Sequence, residues 1–304
     1  MLTTYYHNAL IYKHQFWCCD RGLSTKLKGS EPIECDGYFL VDSTPHGPVP
    51  SLAGLYWLSE DEPIGITITG RVFLFKNGET ICLGSPITSV CTMVDCNDNN
   101  AVVMMLADKR TIILQRKSFG LLIHDITEYV GRARFIMIDT NLIHGSRFPS
   151  RCLIINEDSK VVGITNCSED DAPFEMIGKA QLSFSCDDIK FARDGMIVTK
   201  SNEIHRAYED DYGFCVQYMR IVDNTIDCVA VGDTMIVLTE DRNLRKIGRY
   251  YDRLIELECS LSIEKLVTHP YDLIWHNKLH VTDSDGYLHE IHNGGLLRWT
   301  FPVS

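Results

Sequence analysis

The chain has 304 residues, 45% hydrophobic and 23% charged, with a formal net charge of −12. That apolar share supports a sizeable core and excludes a disordered or low-complexity chain. Asp and Glu outnumber Lys and Arg by 41 to 29, and each basic spot (Arg116 with Lys117, Arg132 with Arg134, Arg242 with Arg245 and Lys246) has acidic residues close by, so a nucleic-acid-tracking surface is not expected.

The N-terminal residues carry no basic stretch followed by an apolar core, so no signal peptide is expected there. The longest apolar runs, such as 101–107, fall far short of the ~20 residues of a membrane helix. The expected compartment is the cytoplasm or another reducing space, nucleus and virion interior included; secretion and membrane insertion are not expected. The 12 cysteines include no Cys-x-x-Cys pair, so they read as small buried apolar groups rather than metal ligands.

Near the N-terminus, 5–12, 15–18 and 38–41 read as strands, and 43–52, with Pro45, Pro48 and Pro50, reads as a loop insertion. Strand pairs around polar turns follow: 65–69 with 72–75 at Gly70, 102–106 with 112–114 at Lys109, and 152–155 with 161–164 at Asp158. The same pattern gives 196–199 with 204–206 at Ser201, 235–239 with 244–247 at Asp241, and 278–282 with 287–291 at Asp285. Gly, Asn and Asp tolerate the positive φ that tight turns need, which makes each pair a hairpin. Helical spacing is confined to 119–130 and 261–267.

The six turn centres recur about every 43 residues, and repeats of that length built from strand pairs indicate propeller blades. The expected fold is all-β: one domain over 1–304, a single β-propeller of about seven short blades. Residues 1–55 form an irregular first blade and 56–304 six repeats. The C-terminal run 296–303 is expected to pair with the N-terminal strands, closing the ring and removing exposed sheet edges.

The stretch 226–248, Ile-Asp-Cys-Val-Ala-Val-Gly-Asp-Thr-Met-Ile-Val-Leu-Thr-Glu-Asp-Arg-Asn-Leu-Arg-Lys-Ile-Gly, resembles the repeat of the regulator-of-chromosome-condensation propellers. Val231 and Gly232 supply the small residue beside glycine, Leu238 and Thr239 end an apolar strand, 240–243 form the acidic turn, and Gly248 closes the next strand. Weaker copies are 188–204 and 272–291. The family's closing Gly-Gln-Leu-Gly stretch is missing: Arg249, Tyr250, Tyr251 and Asp252 follow Gly248. The resemblance implies a degenerate propeller over residues 60–295 and no particular activity. WD-type repeats rank behind it because no Gly-His to Trp-Asp pairing occurs.

No nucleophile elbow, phosphate loop, dinucleotide fingerprint, zincin motif or kinase set occurs, so no catalytic residue and no cofactor is assigned. His269, His276, His280, His289 and His292 crowd the C-terminal stretch but read as surface histidines rather than metal ligands. Asp283, Ser284, Asp285 and Gly286 begin like a calcium loop, yet Tyr287 stands where a ligand is needed. The first strands of the blades read as mostly apolar.

Acidic runs beside aromatic residues remain: 59–62 after Tyr56 and Trp57, 168–171, and 209–211 between Tyr208 and Tyr212. Interface cores favour Tyr, Trp and Arg. The expected partner-binding residues are Tyr208, Tyr212, Arg249, Tyr250 and Tyr251, in loops outside the core. The expected function is a non-enzymatic protein–protein interaction scaffold or a structural subunit of a larger assembly, such as a virion or multiprotein complex. Its partners would be one or more proteins. The alternative is a propeller-fold hydrolase or lyase with its site at the central channel.

Overall fold

All six expected strand pairs form, each as the second and third strands of a four-stranded antiparallel sheet. They are Pro63–Thr67 with Arg71–Leu74, Asn100–Leu106 with Thr111–Lys117, and Arg151–Asn156 with Lys160–Asn166. Further along come Met196–Thr199 with Glu203–Asp210, Thr234–Thr239 with Leu244–Ile247, and Leu279–Asp283 with Tyr287–Ile291. The structure is a computed structural model that describes residues 52–58, 63–67, 69–74, 79–94, 100–117, 120–139, 151–166, 174–210, 213–231, 234–248, 251–255, 262–266, 279–284, 287–291 and 297–302. Within 1–50 it describes the strands at 4–6, 9–12, 15–20, 23–27, 33–35, 38–40, 43–44 and 47–48.

Among the described residues there are seven four-stranded sheets, each a simple up-and-down meander, here numbered blades 1 to 7 in chain order. Blade 1 is Thr4–Tyr6, Ala9–Tyr12, Gln15–Asp20 and Leu23–Leu27. The first strands of blades 3, 4 and 5 (Ile87–Val94, Ala133–Asp139 and Ile189–Arg193) adjoin one another, as do those of blades 6 and 7 (Thr225–Val231 and Ile263–Leu266). Apolar clusters fill the spaces between successive blades from 2 to 7. This arrangement is a β-propeller.

Two devices recur from blade to blade. In blades 2 to 7 the first strand bulges at its second residue: Ala53, Thr88, Arg134, Lys190, Ile226 and Glu264. A bulge raises local twist and re-aims the following side chain. In blades 3 to 7 the turn after the second strand is braced to the start of the first by one main-chain bond. Ala107 N–H donates to Pro86 (2.8 Å), Glu157 to Arg132 (2.9 Å), Lys200 to Asp188 (2.7 Å), Glu240 to Asn224 (2.8 Å) and Ser284 to Ser262 (2.9 Å).

The turns themselves close on a residue with positive φ: Gly70 (82°), Lys109 (72°), Ser159 (57°), Asn202 (63°) and Arg242 (66°). This is the hairpin turn in which a left-handed residue follows a tight turn. The strand-ending polar side chain caps it. Thr67 Oγ1 accepts from Arg71 N–H at 3.1 Å, Thr199 Oγ1 from Glu203 N–H at 3.0 Å, and Asn156 Oδ1 from Lys160 N–H at 3.0 Å.

Three expectations change. The C-terminal run does not join the N-terminal strands: Leu297–Pro302 pairs with Tyr287–Ile291 as the outer strand of blade 7, and Thr4–Tyr6 pairs within blade 1. A short antiparallel return costs less loop entropy than a partner at the far end of the chain. The expected loop at 43–52 holds the small hairpin Ser43–Thr44 with Gly47–Pro48, and Leu52 begins blade 2. The helical spacing at 119–130 yields the strand Gly120–Asp125 and one helical turn, Thr127–Val130, while 261–267 holds the strand Ile263–Leu266. Neither stretch is long enough to sustain more than one helical turn against available strand partners.

Candidate functional site

The first strands of blades 5, 6 and 7 are less apolar than their sequence implies. Arg193 ends the first strand of blade 5, and its Nη1 donates to both Asp227 oxygens, at 3.0 and 2.9 Å, and to the Leu266 carbonyl at 3.0 Å. Its Nε donates to Asp194 Oδ2 at 2.9 Å, and Leu266 N–H donates to Asp227 Oδ2 at 3.0 Å. Asp227 follows the bulge at Ile226. Desolvation works against the Arg193 charge, but the carboxylates of Asp227 and Asp194 outweigh it and hold the guanidinium above its ordinary range. Burial, then the Asp227 charge, pushes the Cys228 thiol up; burial, then Arg193, pushes the Lys265 amine down. These groups stitch three consecutive blades together and are committed to one another. Among the described residues no cluster of His, Cys, Asp or Glu could hold a metal ion.

The outer half of blade 5 is different. Its third and fourth strands, Glu203–Asp210 and Gly213–Ile221, outrun the second strand, which pairs only with Ile204–Arg206. Beyond Arg206 the pairs from Ala207 with Val216 to Asp210 with Gly213 therefore project as a two-stranded hairpin. At its root Ala207 N–H donates to the Gly195 carbonyl at 2.8 Å. Phe214 pins the hairpin to blade 4. It lies over Gly163 and Gly178, which face each other across the third and fourth strands of that blade. A Cβ at Gly178 would stand 2.7 Å from Phe214 Cβ, so only glycine admits the ring. Gly178→Ala is expected to evict Phe214, at a cost of roughly 1–3 kcal/mol. Hydrogen exchange should then speed up first over 207–216, and unchanged protection there would refute the anchor.

Tyr208 sits in this hairpin, opposite Cys215. Its hydroxyl donates to Gln217 Oε1 at 3.1 Å, and the Arg206 guanidinium lies 5.9 Å from its ring centroid. The sequence placed Tyr208 in a loop; it is a strand residue, because ladder pairing continues to Asp210. Tyr212, Arg249 and Tyr250 lie outside the described residues.

Tyr251 is 38% exposed and precedes Asp252–Leu254, the outer strand of blade 6. Its carbonyl accepts from Gly248 N–H at 2.9 Å, and a Cβ on Gly248 would meet its ring at 2.5 Å. Arg253 lies 5.5 Å from the Tyr251 ring centroid. Asp252 pairs with Arg245 at 2.8 Å in its own blade and with Arg220 of blade 5 at 3.6 Å. Tyr208 and Tyr251 thus belong to third-to-fourth-strand hairpins of neighbouring blades, and such hairpins leave their sheets at the same edge.

Of the C-terminal histidines, His280 pairs with Glu290 and His289 with Val281, so the two are not cross-strand partners. His269, His276 and His292 lie outside the described residues. Sequence reasoning missed Phe214 and its glycine pair; two glycines inside strand runs were the available signal.

No family model matches the chain, and no curated protein matches it. Solved structures do resemble it. Sqt1 of Saccharomyces cerevisiae superposes with a TM-score of 0.54 at 12% identity, over 97% of this chain and 80% of that one. BBS1N, solved in complex with ARL6DN, gives a TM-score of 0.53 at 11% identity, over 84% of this chain and 82% of that one. At such identities the likeness is one of fold, and the fold is the β-propeller. The resemblance to the regulator-of-chromosome-condensation repeat gains no support at family level.

Proposed function

We propose that this propeller is a protein-interaction scaffold, free-standing or as a subunit of a larger assembly in a reducing compartment. Its partner docks on the outer parts of blades 5 and 6. The observation that carries this is the projecting hairpin of blade 5, pinned by Phe214 and presenting Tyr208. A rigid hairpin with an amphipathic ring loses little conformational entropy on binding. Tyr251 supplies a second ring on the next blade, and Tyr212, Arg249 and Tyr250 lie close to these two in sequence. BBS1N, a propeller of similar fold, was solved with a bound partner.

Affinity capture from the native source followed by mass spectrometry tests this. Tyr208→Ala and Tyr251→Ala are each expected to weaken partner capture by about 2 kcal/mol, roughly 30-fold, with the melting temperature unchanged. Normal capture by both variants would remove the proposed surface.

A further inference from the structure

The outer hairpin of blade 6 sorts its charges unevenly between its two faces. Leu244 and Ile255 pack with Ile263, Leu266 and Val281 of blade 7, whereas Ile247 packs with Met196, Val198 and Ile204 of blade 5. Strand alternation therefore turns Lys246, like Leu244, toward the blade 7 side, and Arg245, like Ile247, toward blade 5. Asp252 is the only acidic residue in 244–254. It lies on the blade 5 side, where Arg245 holds it at 2.8 Å and Arg220 at 3.6 Å.

The other side is left with cations. Lys246 and Arg253 stand directly opposite each other across the third and fourth strands. Neither has an ion-pair partner among the described residues. Arg253 is exposed, like its strand neighbours Asp252 and Leu254, and Lys246 is half-buried. Side chains directly opposite start about 5 Å apart, and like charges so placed destabilise the ladder. The Arg253 guanidinium lies 5.5 Å from the Tyr251 ring centroid, and that ring backs onto Gly248, where a Cβ would stand 2.5 Å from it. Glu256 and Glu258, next along the chain, lie outside the described residues.

In a chain of net charge −12, two opposed cations beside a partly exposed aromatic ring mark a local reversal of sign. A carboxylate placed between them accepts from both and turns a repulsive pair into a bridged one. An apolar side chain next to that carboxylate covers the open face of the ring, the kind of contact that interface cores use. We propose that the partner engages blade 6 through an acidic segment, with one carboxylate against Lys246 and Arg253 and a neighbouring apolar side chain on Tyr251. The inference rests on the scaffold reading and names the partner's chemistry at the Tyr251 end of that surface. An acidic protein segment fits better than nucleic acid, because two cations in an acidic chain make no stripe for a phosphate backbone to follow.

The test selects two displayed peptide libraries on the full chain, one rich in Asp and Glu around a single aromatic residue, the other with Lys in place of the acids. Fluorescence anisotropy of the enriched peptides follows. The acidic library is expected to be enriched over the basic one, and raising NaCl from about 50 to about 300 mM should weaken its peptides several-fold. Arg253→Glu should weaken them about tenfold or more yet melt at or above the parent temperature, because it makes the cross-strand pair with Lys246 attractive. A merely structural Arg253 could not give that combination. Tyr251→Ala should weaken them as well, whereas Lys160→Glu, an exposed charge reversal on blade 4, should not. The proposal is overturned if the two libraries are enriched alike or if Arg253→Glu binds like the parent. It is equally overturned if Arg253→Glu melts lower, since an acid of this chain then already occupies the pair. Tighter binding of a random-sequence DNA duplex than of any peptide, lost in Arg253→Glu, would show the wrong class of partner. Native-partner capture that fails in Tyr208→Ala and Tyr251→Ala but not in Arg253→Glu would leave the scaffold reading standing without an acidic partner.

Discussion

Asp227→Ala is expected to destabilise the propeller by about 3–5 kcal/mol, the usual cost of removing one partner from a buried ion pair. The carboxylate accepts from Arg193 of blade 5 and from the Leu266 main chain of blade 7, so its loss leaves the Leu266 amide unmet and Arg193 with Asp194 and the Leu266 carbonyl in place of three acceptor groups. The Arg193 side chain is 25% exposed and that of Asp227 10%, so little water can replace the lost contact. Replacing both residues, as Arg193→Met with Asp227→Leu, is expected to recover part of the loss, since the apolar pair carries no desolvation cost while buried Asp194 loses its bond from Arg193. Urea unfolding of the three chains decides the matter. A single-variant loss below about 1 kcal/mol would mean that the pair is solvated and joins nothing.

Gly70→Ala is the second large effect. The residue has a φ of +82°, and a Cβ there would lie 2.0 Å from the Ser85 carbonyl oxygen and 2.9 Å from its carbon. The left-handed conformation alone costs an ordinary residue roughly 1–2 kcal/mol. The collision is with main chain, so no side chain can swing aside. The connection between blades 2 and 3 has to move, breaking the 2.9 Å bond from Leu83 N–H to the Gly70 carbonyl. A total loss of about 3 kcal/mol or more is expected. Gly84→Ala is the internal control: its φ is +81°, but the nearest atom is Arg110 Nη2 at 3.9 Å. It should show the conformational cost only, about 1 kcal/mol. Equal melting temperatures for the two variants would contradict this account.

The second-to-third-strand hairpins were legible because their information is local. Gly70, Ser159, Asn202 and Arg242 stand at turn positions set by a few neighbouring residues, and alternating apolar residues flank them. The first-strand bulges were not legible, since an extra residue such as Lys190 or Glu264 shows only against its partner strand. Nor was the pairing of Arg193 with Asp227, which lie 34 positions apart and meet only when blades stack. Tyr208 was recognised as a candidate, but its acidic neighbours suggested a loop where ladder pairing with Cys215 makes a strand. The C-terminal strand was given the wrong partner because Trp299 and Phe301 report that a strand exists, not which neighbour it joins.

The main-chain brace at the root of blades 3 to 7 has a consequence for the history of such a chain. Each brace runs from an amide to a carbonyl, and every residue except proline can supply the amide. The five donors are Ala107, Glu157, Lys200, Glu240 and Ser284, and the acceptors are Pro86, Arg132, Asp188, Asn224 and Ser262, with no chemistry in common. Selection acting on the blade root therefore constrains chain geometry and leaves side-chain identity free to drift. Copies of one ancestral unit can lose their mutual likeness without losing the joint that seats them, so architecture outlasts spelling.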